Sequence, residues 1–270
     1  KEPLTAEINI ADTNNKFAFN ILIVEDNLIN KLLAKTVIAR ILPNAHISEA
    51  NNGLEAIESY QIQRPDLIFM DLQMPIMNGY DATKKIRALA KDNKAHQTVI
   101  VALTAGNIKG EKERCLEIGM DDFITKPFIE DDLAALFAKW LTKNTLPIIK
   151  EAEQEVKASH FDNEKLKLFM GNDSQSVKLV LSLTIQELIK AETNFTEILK
   201  KPDLKSITAL GHKLFGTASG TGLDALAVLS REIEYQEDID EKRLQNLHAL
   251  LKKEIALVIS LIEEELETLN

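Results

Sequence analysis

ILIVEDN, residues 21–27, sets a run of aliphatic and β-branched residues directly against two carboxylates and an amide. A short apolar run without polar alternation reads as a strand buried on both faces, and the switch to Glu25 and Asp26 marks its end. The same grammar recurs along the next hundred residues. Leu67–Met70 is closed by Asp71, Thr98–Leu103 by Thr104 and Phe123–Thr125 by Lys126, while His46–Ala50 makes a weaker fifth run. Between these runs, Asn30–Ile41, Gly53–Gln63, Gly79–Ala90, Lys109–Ile118 and Glu130–Leu141 carry helical periodicity. Strand and helix alternating five times predicts a parallel sheet wrapped by helices on both faces.

Polar residues of this half collect at one edge of the predicted sheet. Glu25 and Asp26 follow the first strand, Asp71 ends the third, Thr104 follows the fourth and Lys126 the fifth. Ligands of open parallel sheets bind outside the carboxyl ends of the strands, where the strand order reverses. Three carboxylates converging there repel one another unless a cation neutralises them, and an all-oxygen set suits Mg²⁺. With a metal in place, one carboxylate can act as a nucleophile toward a phosphoryl group, with Lys126 balancing charge and the Thr104 hydroxyl donating to an oxygen.

Beyond residue 159 the period changes. Ser176–Leu199 places Val177, Val180, Leu181, Thr184, Leu188, Ala191, Phe195 and Ile198 on one stripe, and Leu204–Ala218, Leu223–Tyr235 and Glu241–Leu266 repeat the pattern. Amphipathic helices with short connections and no strands predict an antiparallel helical bundle. The boundaries read as a polar tail at 1–19, an α/β domain at 20–141, a linker at 142–159 with Pro147 and a charged run, and a helical domain at 160–270.

Composition narrows the classes. The chain has 270 residues, 45% of them hydrophobic, and a formal net charge of -10, which disfavours a surface built to neutralise phosphates and so disfavours nucleic-acid binding. A single cysteine, Cys115, forms no disulfide within the chain and fits a reducing, cytoplasmic setting. No apolar run reaches the roughly 18–20 residues of a membrane span. The sequence starts at Lys1 with all five methionines internal, so a fragment of a longer protein is expected.

The motifs ILIVEDN at 21–27, FMDLQMPIMNGYDATKKIR at 69–87, ALTA at 102–105 and DDFITKPF at 121–128 resemble the receiver domain of two-component response regulators. The resemblance covers residues 20–141. It implies a flavodoxin-like five-stranded sheet of order 2-1-3-4-5, with Asp71 as phosphoacceptor and Mg²⁺ held by Glu25, Asp26, Asp71 and the Gln73 backbone carbonyl. Thr104 and Lys126 would bind the phosphoryl group, Phe123 would be the switch aromatic beside Thr104, Ala105 would leave the site open, and the Lys126–Pro127 bond would be cis. The first acid is Glu25, where the family more often has Asp.

In the helical half, the wheel of Leu204–Ala218 turns Ile207, Leu210, Gly211, Leu214 and Ala218 to the core and His212 away from it, toward solvent. Side chains on a helix lean toward its N-terminus, so residue i+4 covers residue i, and at that position Gly216 covers nothing. His160 and His248 lack such a setting and read as structural or neutral. GTASGTG at 216–222 has no following G-K-[ST], which excludes a P-loop. The stretch ALGHKLFGTASGTGLDALAVLSREIE at 209–234 is similar to the histidine phosphotransfer domain, and the similarity covers about 160–270 as a four-helix bundle. It implies that His212 carries phosphate, supported by Lys213 and Gly216. Phe215 departs from the lysine most frequent in that family.

Together these readings predict a phosphorelay fragment, the C-terminal part of a hybrid sensor histidine kinase, at the cytoplasmic end of a membrane-bound sensor. Neither half carries the nucleotide-binding boxes of a kinase. The partners expected are an upstream phosphohistidine domain and a downstream receiver. The alternative is an interaction module whose helical domain docks partners without carrying phosphate, a reading that Phe215 favours through its apolar area.

Overall fold

The computed structural model describes residues 18–90, 98–104, 111–126, 130–141, 159–170, 173–236 and 238–269. The N-terminal tail through residue 17, the linker at 142–158, Ala105 and the Lys126–Pro127 bond lie outside the described residues.

The α/β half runs β1 (Asn20–Val24), α1 (Leu28–Ile41), β2 (His46–Ala50), α2 (Gly53–Gln63), β3 (Leu67–Asp71), α3 (Gly79–Ala90), β4 (Val99–Thr104), α4 (Glu111–Ile118), β5 (Asp122–Thr125) and α5 (Glu130–Trp140). The five strands pair in parallel in the order β2-β1-β3-β4-β5, the flavodoxin-like order that the resemblance implied. Successive side chains of a strand point to opposite faces. Ile21, Ile23, Phe69, Val101 and Leu103 therefore meet Val37, Ile38, Leu133 and Phe137 of α1 and α5. Leu22, Val24, Met70, Ile100 and Ala102 meet Ala56, Tyr60, Ala82 and Ile86 of α2 and α3. Burial on both faces explains why these strands read as continuous apolar runs.

Helix α1 begins two residues earlier than the periodicity predicts. Asn27 caps it, its Oδ1 accepting from the backbone N–H of Ile29 at 2.9 Å and of Asn30 at 3.3 Å. Its sequence, LINKLLAKTVIARI, is apolar on two sides. Ala34, Val37 and Ile38 face the sheet, whereas Ile29 and Leu33, 0% and 6% exposed, join the core of the helical half. At about 2 kcal/mol for each such side chain, this packing holds the two halves together.

The helical half comprises α6 (Asn163–Met170), α7 (Ser174–Ile198), α8 (Leu204–Gly220), α9 (Asp224–Glu234) and α10 (Glu241–Thr268). Helix α6 is an addition to the sequence expectation. Asp173, Asp203 and Asp240 cap α7, α8 and α10 with side-chain acceptors, and α7 buries Val177, Val180, Leu181, Thr184, Leu188, Ala191 and Phe195 as its stripe predicts. Among the described residues no helix is long and apolar enough to cross a membrane.

Close approach of α9 to α8 is the feature that shapes the site. A Cβ at Gly211 would lie 2.3 Å from the Glu234 backbone nitrogen and 2.8 Å from the Ser230 carbonyl oxygen. Only glycine admits the end of α9 there, and Glu234 is thereby brought beside His212.

Candidate functional site

Strand ends assemble the first part of the site. Glu25 and Asp71 are buried, Asp26 is half-buried, and one oxygen from each carboxylate lies within 4.8 Å of the others. Lys126, 8% exposed, hydrogen-bonds Glu25 Oε2 and lies 2.9 Å from Asp71 Oδ2. The other oxygen of Glu25 accepts from the Asn27 backbone and from Asn30 Nδ2, both at 3.2 Å. Gln73 meets Asp71 through its backbone N–H, which donates to Oδ1 at 3.3 Å. Thr104 is buried at the end of β4, one residue past Leu103, the register partner of Asp71.

Crowding of like charges in a dry site shifts these groups. Burial, then the charge of Asp71, pushes the Glu25 carboxyl up to about 7 against the pull of Lys126. The same two causes raise Asp26. Burial opposes the Lys126 ammonium, but Asp71 and Glu25 outweigh it and raise its pKa. One lysine thus faces three acids, and the remaining negative charge and hard oxygen donors suit a small divalent cation such as Mg²⁺. Phe123 is half-buried against the core beneath α2–α4, with Lys112 Nζ 4.4 Å from its ring centroid.

The helical half supplies the second part. His212 does not project into solvent as its wheel position predicts. Its side chain is 13% exposed, because the receiver-like half covers this side of α8. Asn27 Nδ2 donates to Thr217 Oγ1 at 2.8 Å, and a Cβ at Gly216 would lie 2.7 Å from Asn30 Nδ2. At Gly220 the same construction lies 2.6 Å from a Leu33 methyl. Gly216 therefore does leave a bare patch of helix, and Asn30 of α1 fills it. A cleft results, lined by Glu25, Asp26, Asn30 and Lys126 on one side and by His212, Lys213, Phe215 and Gly216 on the other.

His212 Nδ1 lies 2.9 Å from Glu234 Oε1. A carboxylate accepts, so Nδ1 carries a proton, and in the neutral ring the lone pair is on Nε2. Burial disfavours the imidazolium, yet the Glu234 hydrogen bond and the charge of Asp71 outweigh it, and the His212 pKa is raised. Glu234, 3% exposed, also accepts from Arg231 Nη1 at 3.1 Å. Lys213 turns away to Glu187 at 2.8 Å. Exposed His160 bonds Glu254 at 2.8 Å at the surface, and His248 stands edge-on to Phe195.

Sequence reading missed Glu234, Arg231, Asn30 and Thr217. Gly211 carried the only signal for Glu234, as a glycine on the predicted core face where a helix could approach closely.

Comparison with known proteins finds matches to the α/β half. The family model described as "Response regulator receiver domain" matches residues 21–138. Sensor protein GacS of Pseudomonas syringae pv. syringae is 36% identical over 138 residues, covering 51% of this chain and 15% of that protein. Hybrid signal transduction histidine kinase B of Dictyostelium discoideum is 42% identical over 123 residues, covering 42% of this chain and 6% of that protein. The chain thus spans a small part of these relatives. Among solved structures, the co-crystal of the Saccharomyces cerevisiae histidine phosphotransfer signaling protein Ypd1 and the receiver domain of Ssk1 aligns at 35% identity and a TM-score of 0.42, over 46% of this chain and 88% of that one. The receiver domain of sensor histidine kinase PA1611 from Pseudomonas aeruginosa, with a magnesium ion in its active site cleft, aligns at 32% identity and 0.41, over 46% and 98%. Residues 21–138 are a response regulator receiver domain, homologous to the receivers of hybrid histidine kinases.

Proposed function

We propose that the chain is a phosphorelay segment in which Asp71 takes a phosphoryl group from the phosphohistidine of an upstream kinase, and His212, within the same chain, takes it from Asp71 and passes it to a downstream receiver. The observation that carries this reading is the shared cleft. A histidine with its Nδ1 held by Glu234 lines the same cleft as Glu25, Asp26 and Lys126, and the charge of Asp71 reaches its ring.

Asp26, Asp71 and the Gln73 carbonyl would hold Mg²⁺, with Glu25 beside them; when bound, the ion supplies positive charge to the transferred oxygens. The protein's own groups do the rest. Lys126 balances the Asp71 carboxylate, and the Thr104 hydroxyl donates to a phosphoryl oxygen, with Phe123 packing according to that contact. In the second step, the Nε2 lone pair forms the N–P bond as the P–O bond to Asp71 breaks. The electron pair of that bond returns to the carboxylate beside Lys126. The Nδ1 proton stays in place and Glu234 offsets the charge of the imidazolium, so no base has to remove it. Gly216 supports the site by leaving room for Asn30 of α1, and Lys213, though paired with Glu187, adds positive charge at the edge of the cleft.

The apolar area of Phe215 that would favour a docking module is reduced by the Arg231 guanidinium, whose carbon lies 3.6 Å from the ring centroid. The test is labelling from a phosphorylated kinase phosphohistidine domain with Mg²⁺. Asp71→Asn should take no label, and His212→Gln should label on Asp71 but fail to pass label to a receiver. Normal labelling of Asp71→Asn would end the proposal.

A further inference from the structure

Three groups form a chain behind His212 that the transfer chemistry above leaves unexplained. The central carbon of the Arg231 guanidinium sits over the Phe215 ring, 3.6 Å from its centroid. Its Nη1 donates to Glu234 Oε2 at 3.1 Å and lies 2.7 Å from the Tyr235 hydroxyl, while the other oxygen of Glu234 meets His212 Nδ1 at 2.9 Å. Phe215 and His212 are three residues apart on α8, so they share a face, and Arg231 reaches them from α9. The position where the similar family has a lysine here holds an aromatic ring, and a positive charge from the neighbouring helix is stacked on it.

We infer that Arg231 is a positioning residue for the transfer reaction, and that Phe215 is its platform. A carboxylate with one partner can rotate; with Arg231 on Oε2 and His212 on Oε1, both oxygens of Glu234 are committed. That fixes the ring tautomer and leaves the Nε2 lone pair toward the cleft. Arg231 also offsets the negative charge of a carboxylate that would otherwise stand unbalanced beside a dianionic phosphoryl group. The planar, delocalised guanidinium is suited to stacking and hydrogen bonding at once, which an ammonium is not. Phe215 thereby replaces a charge on α8 by a surface that holds a charge from α9.

This inference rests on His212 as the phosphoryl acceptor, and two readouts separate the claims. The first is the tautomer of His212 by ¹⁵N NMR in the full chain, which needs no transfer at all. The parent should carry the proton on Nδ1, Arg231→Gln and Phe215→Leu should each give mixed tautomers, and Arg231→Lys should lie between. The second is the rate at which label on Asp71 moves to His212. Arg231→Gln should slow it by roughly tenfold or more, the range typical of a group that orients a functional histidine. Phe215→Leu should slow it less, and the double variant should be no slower than Arg231→Gln alone, because platform and cation act as one unit. An unchanged tautomer in Arg231→Gln, a parent-like transfer rate, or losses that multiply in the double variant would overturn the inference. If the parent chain transfers nothing while its tautomer still depends on Arg231, the relay reading fails and the positioning claim stands.

Discussion

At the scale of residues, the contact between His212 and Glu234 has a measurable electrostatic consequence. Burial works against the charged ring, and the Glu234 hydrogen bond with the Asp71 charge reverses the outcome, so the folded pKa lies above the ordinary 6.5. A group whose folded pKa is raised contributes stability that is complete below its unfolded pKa and is lost as pH rises through the folded value. Glu234→Gln should therefore lower the His212 pKa in an NMR titration and flatten the loss of stability above pH 6.5. An unmoved pKa would mean that Glu234 does not govern the ring. The acids and the lysine were legible in the sequence because each follows a strand, and a parallel sheet sends strand ends to one edge. Glu234 was not legible, because it lies 22 residues from His212 on another helix and meets it only through the crossing of α8 and α9.

Helix α1 and helix α8 show why a single wheel is an incomplete guide at the scale of elements. A wheel finds the face with the most apolar residues and treats the other as solvated. Both helices are covered on two sides: α1 by the sheet and by the helical half, α8 by its own bundle and by α1. His212 was placed on the correct face, and the cover over that face was the part the pattern could not supply. Two glycines of α8 make the difference testable. Gly211→Ala forces a methyl to within 2.3 Å of backbone on α9, which cannot yield without moving the helix. It should destabilise the helical half by about 1–3 kcal/mol in chemical denaturation. Gly216→Ala meets only the movable end of Asn30, so its clash offsets little of the roughly 1 kcal/mol of helix propensity it gains, and the stability of the helical half should hold or rise. Equal losses from the two substitutions would contradict the packing described.

The whole molecule joins a receiver to a helical half through one shared cluster, with Ile29 and Leu33 of α1 among Leu166, Val177, Leu214 and Ala218. The polar pair Asn27–Thr217 and the seat of Asn30 at Gly216 fix how α1 and α8 meet. This arrangement sets His212 across a cleft from Glu25, Asp26 and Lys126, the groups that surround Asp71. Net charge alone, at -10, said only that phosphate-rich partners are disfavoured; the local balance of Glu25, Asp26 and Asp71 against Lys126, and of Glu234 against Arg231, is where the chemistry resides. The decisive measurement is the time course of base-stable label in the full chain with Mg²⁺ after Asp71 is loaded from labelled acetyl phosphate, followed at several protein concentrations. Base-stable phosphohistidine on His212 should appear as acyl phosphate on Asp71 decays, with a rate independent of protein concentration. Absence of base-stable label, or a rate that scales with concentration, would contradict transfer from Asp71 to His212 within one chain.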